Sequence, residues 1–584
     1  MSGLPPARAG RVPGLVLGAL LVVAAAATHW ASLEGPFLYD DYRFVRDNAR
    51  LASPAILADA FVDPLATDPT GSGGGIYRPL RTIAFAAIRA AFGSEPLPYH
   101  AASLFLHALN SLLAFGALRA FLAAGGVPAG GARLSAFVAA LVFAAHPVQG
   151  EAVDWISSLD NLLFAGFALA ALWLHLARPA GPLPDLGVGL LYVAALFSKE
   201  MAAPLPAILL VADRLAGRRF EGRAFARRYG LLAAGLAVYL IARGAVLEGE
   251  FDQRGPWGGS LVTHAAVAVQ ALGHDALRLL FPFYPDRFAF DWQMPIPGSV
   301  FEPRVVVAAA AAAALAAVAV RGIARREPIG CCVAAFLLAR LPASQVPFPL
   351  NIAVADRFLY LPLVFGAGAS ALALDRAFRR ARPSIRVPLA AGAAAYGVLL
   401  ASLTAVNASL FADEFRLWMT VAARDPESFR ARHGLGAVLA REGRLADATR
   451  EFILAESLRP DSPEVKRDLG SALIATGFKL EGAERLAEGV RLLRERGVDS
   501  SNPELTEMAF AAGETFSRAG VEDRAAAMIA ALFPDPPWAR GAFFVRRGDL
   551  RAAAGDEAGA RSDWDRALAV EPDYAPARLR GERR

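Results

Sequence analysis

GLVLGALLVVAAAATHWASL, residues 14–33, decides the fold. It carries no Asp, Glu, Lys or Arg over the roughly 20 residues that a helix needs to cross a bilayer core. Arg8 and Arg11 precede it, as in a signal peptide. The run is too long for such a leader's apolar core and lacks an Ala-x-Ala exit, so it reads as a retained first span. Working outward, comparable apolar runs lie near 99–123, 133–150, 160–178, 185–203, 204–218, 229–247, 303–320, 329–346, 358–375 and 387–410. With the first they predict about eleven spans. The stretch near 262–282 is also apolar, but His264, His274, Asp275 and Arg278 interrupt it, so it reads as an interfacial or re-entrant helix.

Composition agrees with this reading and shows where it stops. The 584 residues are 55% hydrophobic and 20% charged, which excludes an ordinary water-soluble chain. Residues 1–410 hold 58 charged side chains and the much shorter 411–584 holds 57. A membrane domain over 1–410, a linker over 411–425 and a soluble domain over 426–580 follow. The net charge of +5 then reflects membrane topology rather than affinity for nucleic acid. Arginine supplies 57 of the 60 basic residues, a bias that reads as GC-rich bacterial coding. The two cysteines, Cys331 and Cys332, are adjacent in an apolar run and form no disulfide framework.

Arginine placement orients the spans, because short cytoplasmic loops collect positive charge. With the N-terminus inside, the inside loops hold Arg119 and Arg133, Arg178, the run from Arg214 to Arg228, Arg321 to Arg326, and Arg376 to Arg386. Counting 262–282 as a span would move the last two clusters outside. An odd count places the tail outside, so the expected location is a cytoplasmic (inner) membrane with a periplasmic repeat domain.

The tail carries a 34-residue helix-turn-helix signature. A window from residue 429 places Leu435, Gly436, Ala448, Phe452, Ala455 and Pro460 at the tetratricopeptide positions. One from 541 repeats them as Gly548, Ala560, Trp564, Ala567 and Pro572, while one from 463 keeps Leu469 and Gly470 and then degrades. The first and last windows are 112 residues apart, which is not a multiple of 34, so the middle is irregular. Such pairs stack into an α-solenoid whose groove suits an extended protein segment, though a plain spacer would look the same.

Chemistry is sought among polar groups at the outer span ends, where they are costly to place. FLYDDYRFVRDN, residues 37–48, sets Asp40 and Asp41 side by side. Vicinal carboxylates repel, so one is suited to accept a proton near neutral pH, or the two to hold a divalent cation; a solvated loop start is the plain alternative. Further groups on the same face are Tyr77 and Arg78, Tyr99 and His100, His107 and Asn110, His146, Glu151, Asp154 to Ser157, Ser198 to Glu200, and Asp356 to Pro362. Arginine forks, a lysine charge and carboxylates together suit an anionic, lipid-borne substrate. The histidines lack metal-ligand spacing, Lys199 and Glu200 could pair internally, and Gly71–Gly75 has no following Lys-Ser/Thr.

In these residues the chain resembles the transmembrane and tetratricopeptide-repeat (TMTC-like) family of GT-C glycosyltransferases, related to protein O-mannosyltransferases. The matching motifs are Tyr39-Asp40-Asp41 with Asn48, Tyr77 to Leu80, Tyr99-His100 with His107 and Asn110, His146 to Ser157, Ser198 to Glu200, and Asp356 to Pro362. The family often has His at Gln149 and Arg and Asp at Leu159 and Asn161; here Asp160 stands beside as a replacement acid. The resemblance implies an all-α GT-C membrane bundle. It also implies transfer of a sugar, mannose-like, from a polyprenyl-phosphate carrier to a hydroxyl of a protein acceptor, with inversion. In that scheme Asp40 is the base and Asp41 its neighbour. Tyr77, Arg78, His100, His146, Glu151, Lys199, Glu200, Arg357 and Tyr360 bind substrate. A divalent cation on Asp40 and Asp41 is the one cofactor these residues allow. The alternatives are a catalytically silent scaffold and a transferase acting on a lipid or glycan.

Overall fold

The computed structural model describes residues 13–69, 76–219, 222–247, 255–284, 288 and 290–581; Arg8, Arg11 and Gly71–Gly75 lie outside them. Among the described residues every regular element is helical. The chain forms two compact units, Met1–Glu414 and Phe415–Arg584.

All eleven apolar runs are helical, and the first unit is built from them. Proline opens many of these helices, at Pro79, Pro96, Pro182, Pro303, Pro328 and Pro383, where its missing N–H costs nothing. Seven helices are long and apolar enough to cross a bilayer: Gly14–Glu34, Pro96–Ala124, Ile156–Ala177, Arg223–Val246, Pro303–Arg325, Asp356–Arg380 and Pro383–Phe411. An eighth is a broken span, Ala129–Ala145 and Pro147–Val153, bent by 55°. The other expected spans are shorter. Pro182–Ser198 has 17 residues, or about 26 Å, and Leu205–Leu215 has 11, or about 17 Å, against a core of about 30 Å. Among the described residues, length and composition alone thus qualify seven helices, or eight with the bent pair, and the rest of the eleven expected spans are shorter helices. Leu261–Leu280 is not among the spans; it is a helix that buries Gln270, His274, Asp275 and Arg278.

The basic loops meet at one end of this unit. Arg214 donates to the Ala324 carbonyl at 2.7 Å and Arg218 to that of His175 at 3.2 Å. A Cβ on Gly125 would stand 2.8 Å from Pro328 and 2.9 Å from Leu215, and one on Gly131 3.5 Å from Arg379. A buried ion network lies there. Asp213 accepts from His175 (2.7 Å), Arg218 (2.9 Å) and Tyr229 (2.8 Å), while Asp185 binds Arg227 and Arg228.

The second unit contains four helix pairs: Phe429–Arg441 with Leu445–Leu458, Pro463–Ala475 with Lys479–Glu495, Pro503–Arg518 with Glu522–Ala531, and Gly541–Ala553 with Glu557–Val570. Successive pairs start 34, 40 and 38 residues apart, which accounts for the irregular spacing of the sequence windows. Ser428, Ser462 and Asn502 cap the first helices of three pairs by accepting from backbone N–H groups. Inside three pairs a glycine meets a bulky side chain 16 positions on. Gly436 lies against Phe452, Gly470 against Leu486 and Gly548 against Trp564, each so close that a Cβ would fall within 3 Å.

Candidate functional site

The segment after the first helix folds inward at Tyr39, whose φ of 44° is unusual for a residue with a Cβ. The turn buries Asp41 completely. Its carboxylate accepts from the Leu38 N–H (2.9 Å), from the Ser157 N–H (2.7 Å) and from the Ser157 hydroxyl. Trp155 reinforces the junction by donating to the Leu38 carbonyl at 3.3 Å. Burial pushes the Asp41 carboxyl up to about 7, against the downward pull of the Ser157 and Leu38 hydrogen bonds. Asp40 is only partly buried. Among the described residues its carboxylate has no hydrogen bond and no ion pair.

Beside this turn lies a compact charged cluster. Arg78 reaches Asp160 at 2.6 Å and Glu200 at 2.7 Å. Lys199 donates to Asn161 at 2.7 Å and lies 3.4 Å from Asp160. Burial pushes the Lys199 ammonium down to about 8, although Asp160 supports its charge. Burial alone would raise Glu200, but the Arg78 charge holds it well below the usual carboxylate range. Asp160 and Asn161, which stand at the departure from the family motif, form the centre of this cluster. The local fold explains it: the Pro79 helix, the start of the Ile156–Ala177 helix and the turn after Ser198 each end here.

A second group adjoins it. The Arg357 guanidinium binds Glu151, and the Arg357 backbone N–H donates to the same carboxylate at 3.0 Å. It lies over the rings of Trp155 (5.7 Å) and Phe358 (5.3 Å). Its charge acts on Lys199, and the charge of Asp40 acts on Arg81, so the groups share one electrostatic neighbourhood. Asp356 is paired with Arg278 at 2.9 Å.

Four candidates lie in packing. Tyr77 is buried, with its hydroxyl on the Phe61 carbonyl at 3.0 Å. Tyr360 is buried between His107 (2.9 Å) and Asn110 (3.2 Å). His146 occupies the break in the bent span, donating to the Leu279 carbonyl and accepting from the Val148 N–H, each at 3.2 Å. His100 is buried against Gly35.

Arg81, which directly follows the Tyr77 to Leu80 motif, is not among the candidates named from the sequence. Its guanidinium lies over Phe44 at 4.2 Å and donates to the Thr67 carbonyl at 3.2 Å, and burial pushes it down to about 10. Among the described residues no three His, Cys, Asp or Glu side chains form a metal-binding group. Both Asp41 oxygens are occupied by protein donors, so a cation at the vicinal pair would find only Asp40 open.

No family model matches the chain. Among curated proteins it is 22% identical to "Protein O-mannosyl-transferase TMTC3" of Mus musculus, over 77% of this chain and 52% of that one. It is 24% identical to "Protein O-mannosyl-transferase TMTC4" of Mus musculus, over 77% of this chain and 66% of that one. It is also 24% identical to "Protein O-mannosyl-transferase Tmtc3" of Drosophila melanogaster, over 80% of this chain and 57% of that one. The chain thus spans about half to two thirds of the length of these relatives. Among solved structures, "Crystal structure of YrrB: a TPR protein with an unusual peptide-binding site" is 20% identical, covering 32% of this chain and 88% of that one at a TM-score of 0.25. Over more than three quarters of its residues, this chain is a relative of the TMTC protein O-mannosyl-transferases.

Proposed function

We propose that the protein is an inverting membrane glycosyltransferase that moves a mannose-like sugar from a polyprenyl-phosphate carrier to a hydroxyl of a protein acceptor. The observation that carries this reading is the contrast within the vicinal pair: Asp41 is consumed by three hydrogen bonds, while Asp40 has none among the described residues and its charge acts on Arg81. In the proposed step the acceptor oxygen attacks the anomeric carbon as its proton passes to Asp40. The bond from that carbon to the carrier's phosphate oxygen breaks, and its electron pair leaves with the phosphate. Arg78, Lys199 and Arg357 stabilise that anion, so no covalent intermediate is required.

The outward orientation is part of the proposal. The basic end faces the cytoplasm by the positive-inside rule, which sets the Asp40 end outside. The repeat unit then holds the acceptor, and its tether raises the acceptor's concentration near the site. One observation favours the silent scaffold instead: Arg78 and Arg357 are already matched by Asp160, Glu200 and Glu151.

Full-length protein in nanodiscs, given a synthetic polyprenyl-phosphate mannose and an acceptor protein, decides between them. Transfer with inversion supports the enzyme. Transfer that is lost on truncation after Arg424, with slow donor hydrolysis retained, supports acceptor binding by the repeats. No turnover of any polyprenyl-phosphate sugar would favour the scaffold.

A further inference from the structure

Arg340 ends the Pro328–Arg340 helix and is 1% exposed. Its Nε donates to Asp275, which fixes the plane of the guanidinium. Among the described residues its Nη1 and Nη2 have no hydrogen-bond partner. Three other arginines at this end are paired through their Nη groups. Arg278 is forked onto Asp356, Arg78 onto Glu200 and Asp160, and Arg357 binds Glu151. A buried N–H left unsatisfied is costly, so two such groups on one oriented fork call for a compensating role.

Its surroundings indicate what that role is. The guanidinium lies 5.5 Å from the centre of the Phe358 ring, the same ring that Arg357 overlies at 5.3 Å. The turn directly after it, Leu341–Ala343, packs on the Glu200–Ala202 turn that follows Lys199. Arg340 therefore belongs to the neighbourhood of Lys199, Glu200 and Arg357. The next residue, Leu341, is 40% exposed.

We propose that the Nη1 and Nη2 groups of Arg340 form a seat for a phosphate group borne by a lipid, acting as a donor-binding residue together with Arg357. This rests on the reading of the protein as a polyprenyl-phosphate-dependent transferase. The chemistry selects the ligand: two parallel N–H directions match two oxygens of a phosphate, while Asp275, bound at Nε, leaves both Nη groups without a hydrogen-bond partner among the described residues. A planar fork also distinguishes arginine from lysine at this position, because an ammonium offers charge without the paired geometry.

The test uses full-length protein in nanodiscs and three probes: a polyprenyl phosphate, the uncharged polyprenol of the same length, and inorganic phosphate. Arg340→Gln is expected to weaken polyprenyl-phosphate binding about tenfold or more and leave polyprenol binding unchanged, with Arg340→Lys intermediate. Inorganic phosphate, run as a competitor, separates the two sources of the anion. A seat for lipid-borne phosphate keeps its ligand at millimolar phosphate and a seat for the free ion loses it, in either case only where Arg340 is present. Equal loss of both lipids in Arg340→Gln and Arg340→Lys would make the residue structural and overturn the proposal, as would unchanged binding in both variants. Failure of the functional reading looks different: the wild-type protein would then not prefer polyprenyl phosphate to polyprenol.

Discussion

The first unit has two polar ends that differ in how completely they pair their charges. At the basic end, His175, Asp213, Arg218, Tyr229, Asp185, Arg227 and Arg228 form a network in which each carboxylate meets two or three donors. At the opposite end the Arg78, Asp160, Lys199 and Glu200 cluster is just as dense, but among the described residues Asp40 has no hydrogen bond or ion pair and Arg340 leaves two nitrogens unbonded. Buried charges that serve only architecture gain from full pairing, because an uncompensated charge in a low-dielectric interior is expensive. For the buried Arg340, incomplete pairing is thus what sets the candidate site apart from the basic end.

Substitution tests this difference most sharply. Asp40→Asn is expected to lower sugar transfer by about 10²–10⁴-fold with melting temperature unchanged, as loss of a positioned base does. Asp213→Asn at the other end is expected to lower the melting temperature while each folded molecule keeps its activity. The comparison breaks if Asp40→Asn membranes transfer sugar at the wild-type rate.

A smaller effect is expected in donor dependence. Arg357→Ala should raise the donor concentration needed for half-maximal transfer about tenfold, since a charge-assisted phosphate contact is worth roughly 1.5–3 kcal/mol. Arg218→Ala should leave that concentration alone. Equal shifts in both variants would mean that the two networks act alike.

The smallest effect concerns pH. Asp41 titrates near 3.8 when unfolded and at about 7 in the fold, so the folded state holds its proton more tightly. Its contribution to stability is therefore fully present below about 4, is lost as pH rises through about 7, and amounts to a few kcal/mol in order of magnitude. Melting temperatures from pH 4 to 8 should fall for the wild type, and this component of the slope should vanish in Asp41→Asn. An identical slope in that variant would contradict a buried, proton-holding Asp41.

Much of this organisation was legible in the sequence. The division near residue 411, the eleven apolar helices and the 34-residue register all come from periodicity and charge density, which are local properties. The span count was not, because a run such as 185–203 is apolar throughout while its helix stops at Ser198. The site was legible in part. Arg78, Lys199, Glu200, Glu151 and Arg357 lie together, whereas the split of labour between Asp40 and Asp41 depends on Ser157, 116 positions away. Arg340 was invisible for the same reason: an arginine in an apolar run looks like a span end until Asp275 and Phe358 are placed beside it.

The matched glycine and bulky residue within three of the four helix pairs have an engineering consequence. Because Gly436 with Phe452 and Gly548 with Trp564 keep the same 16-residue offset, each pair is a self-contained spacer that sets the thickness of one layer. A duplicate of residues 428–461 carries its own glycine, its own ring and its own starting cap, so it can be spliced in as a cassette. The array can then be lengthened by one layer at a time, and the reach of the tail becomes a dial that an experimenter can turn without touching the membrane unit.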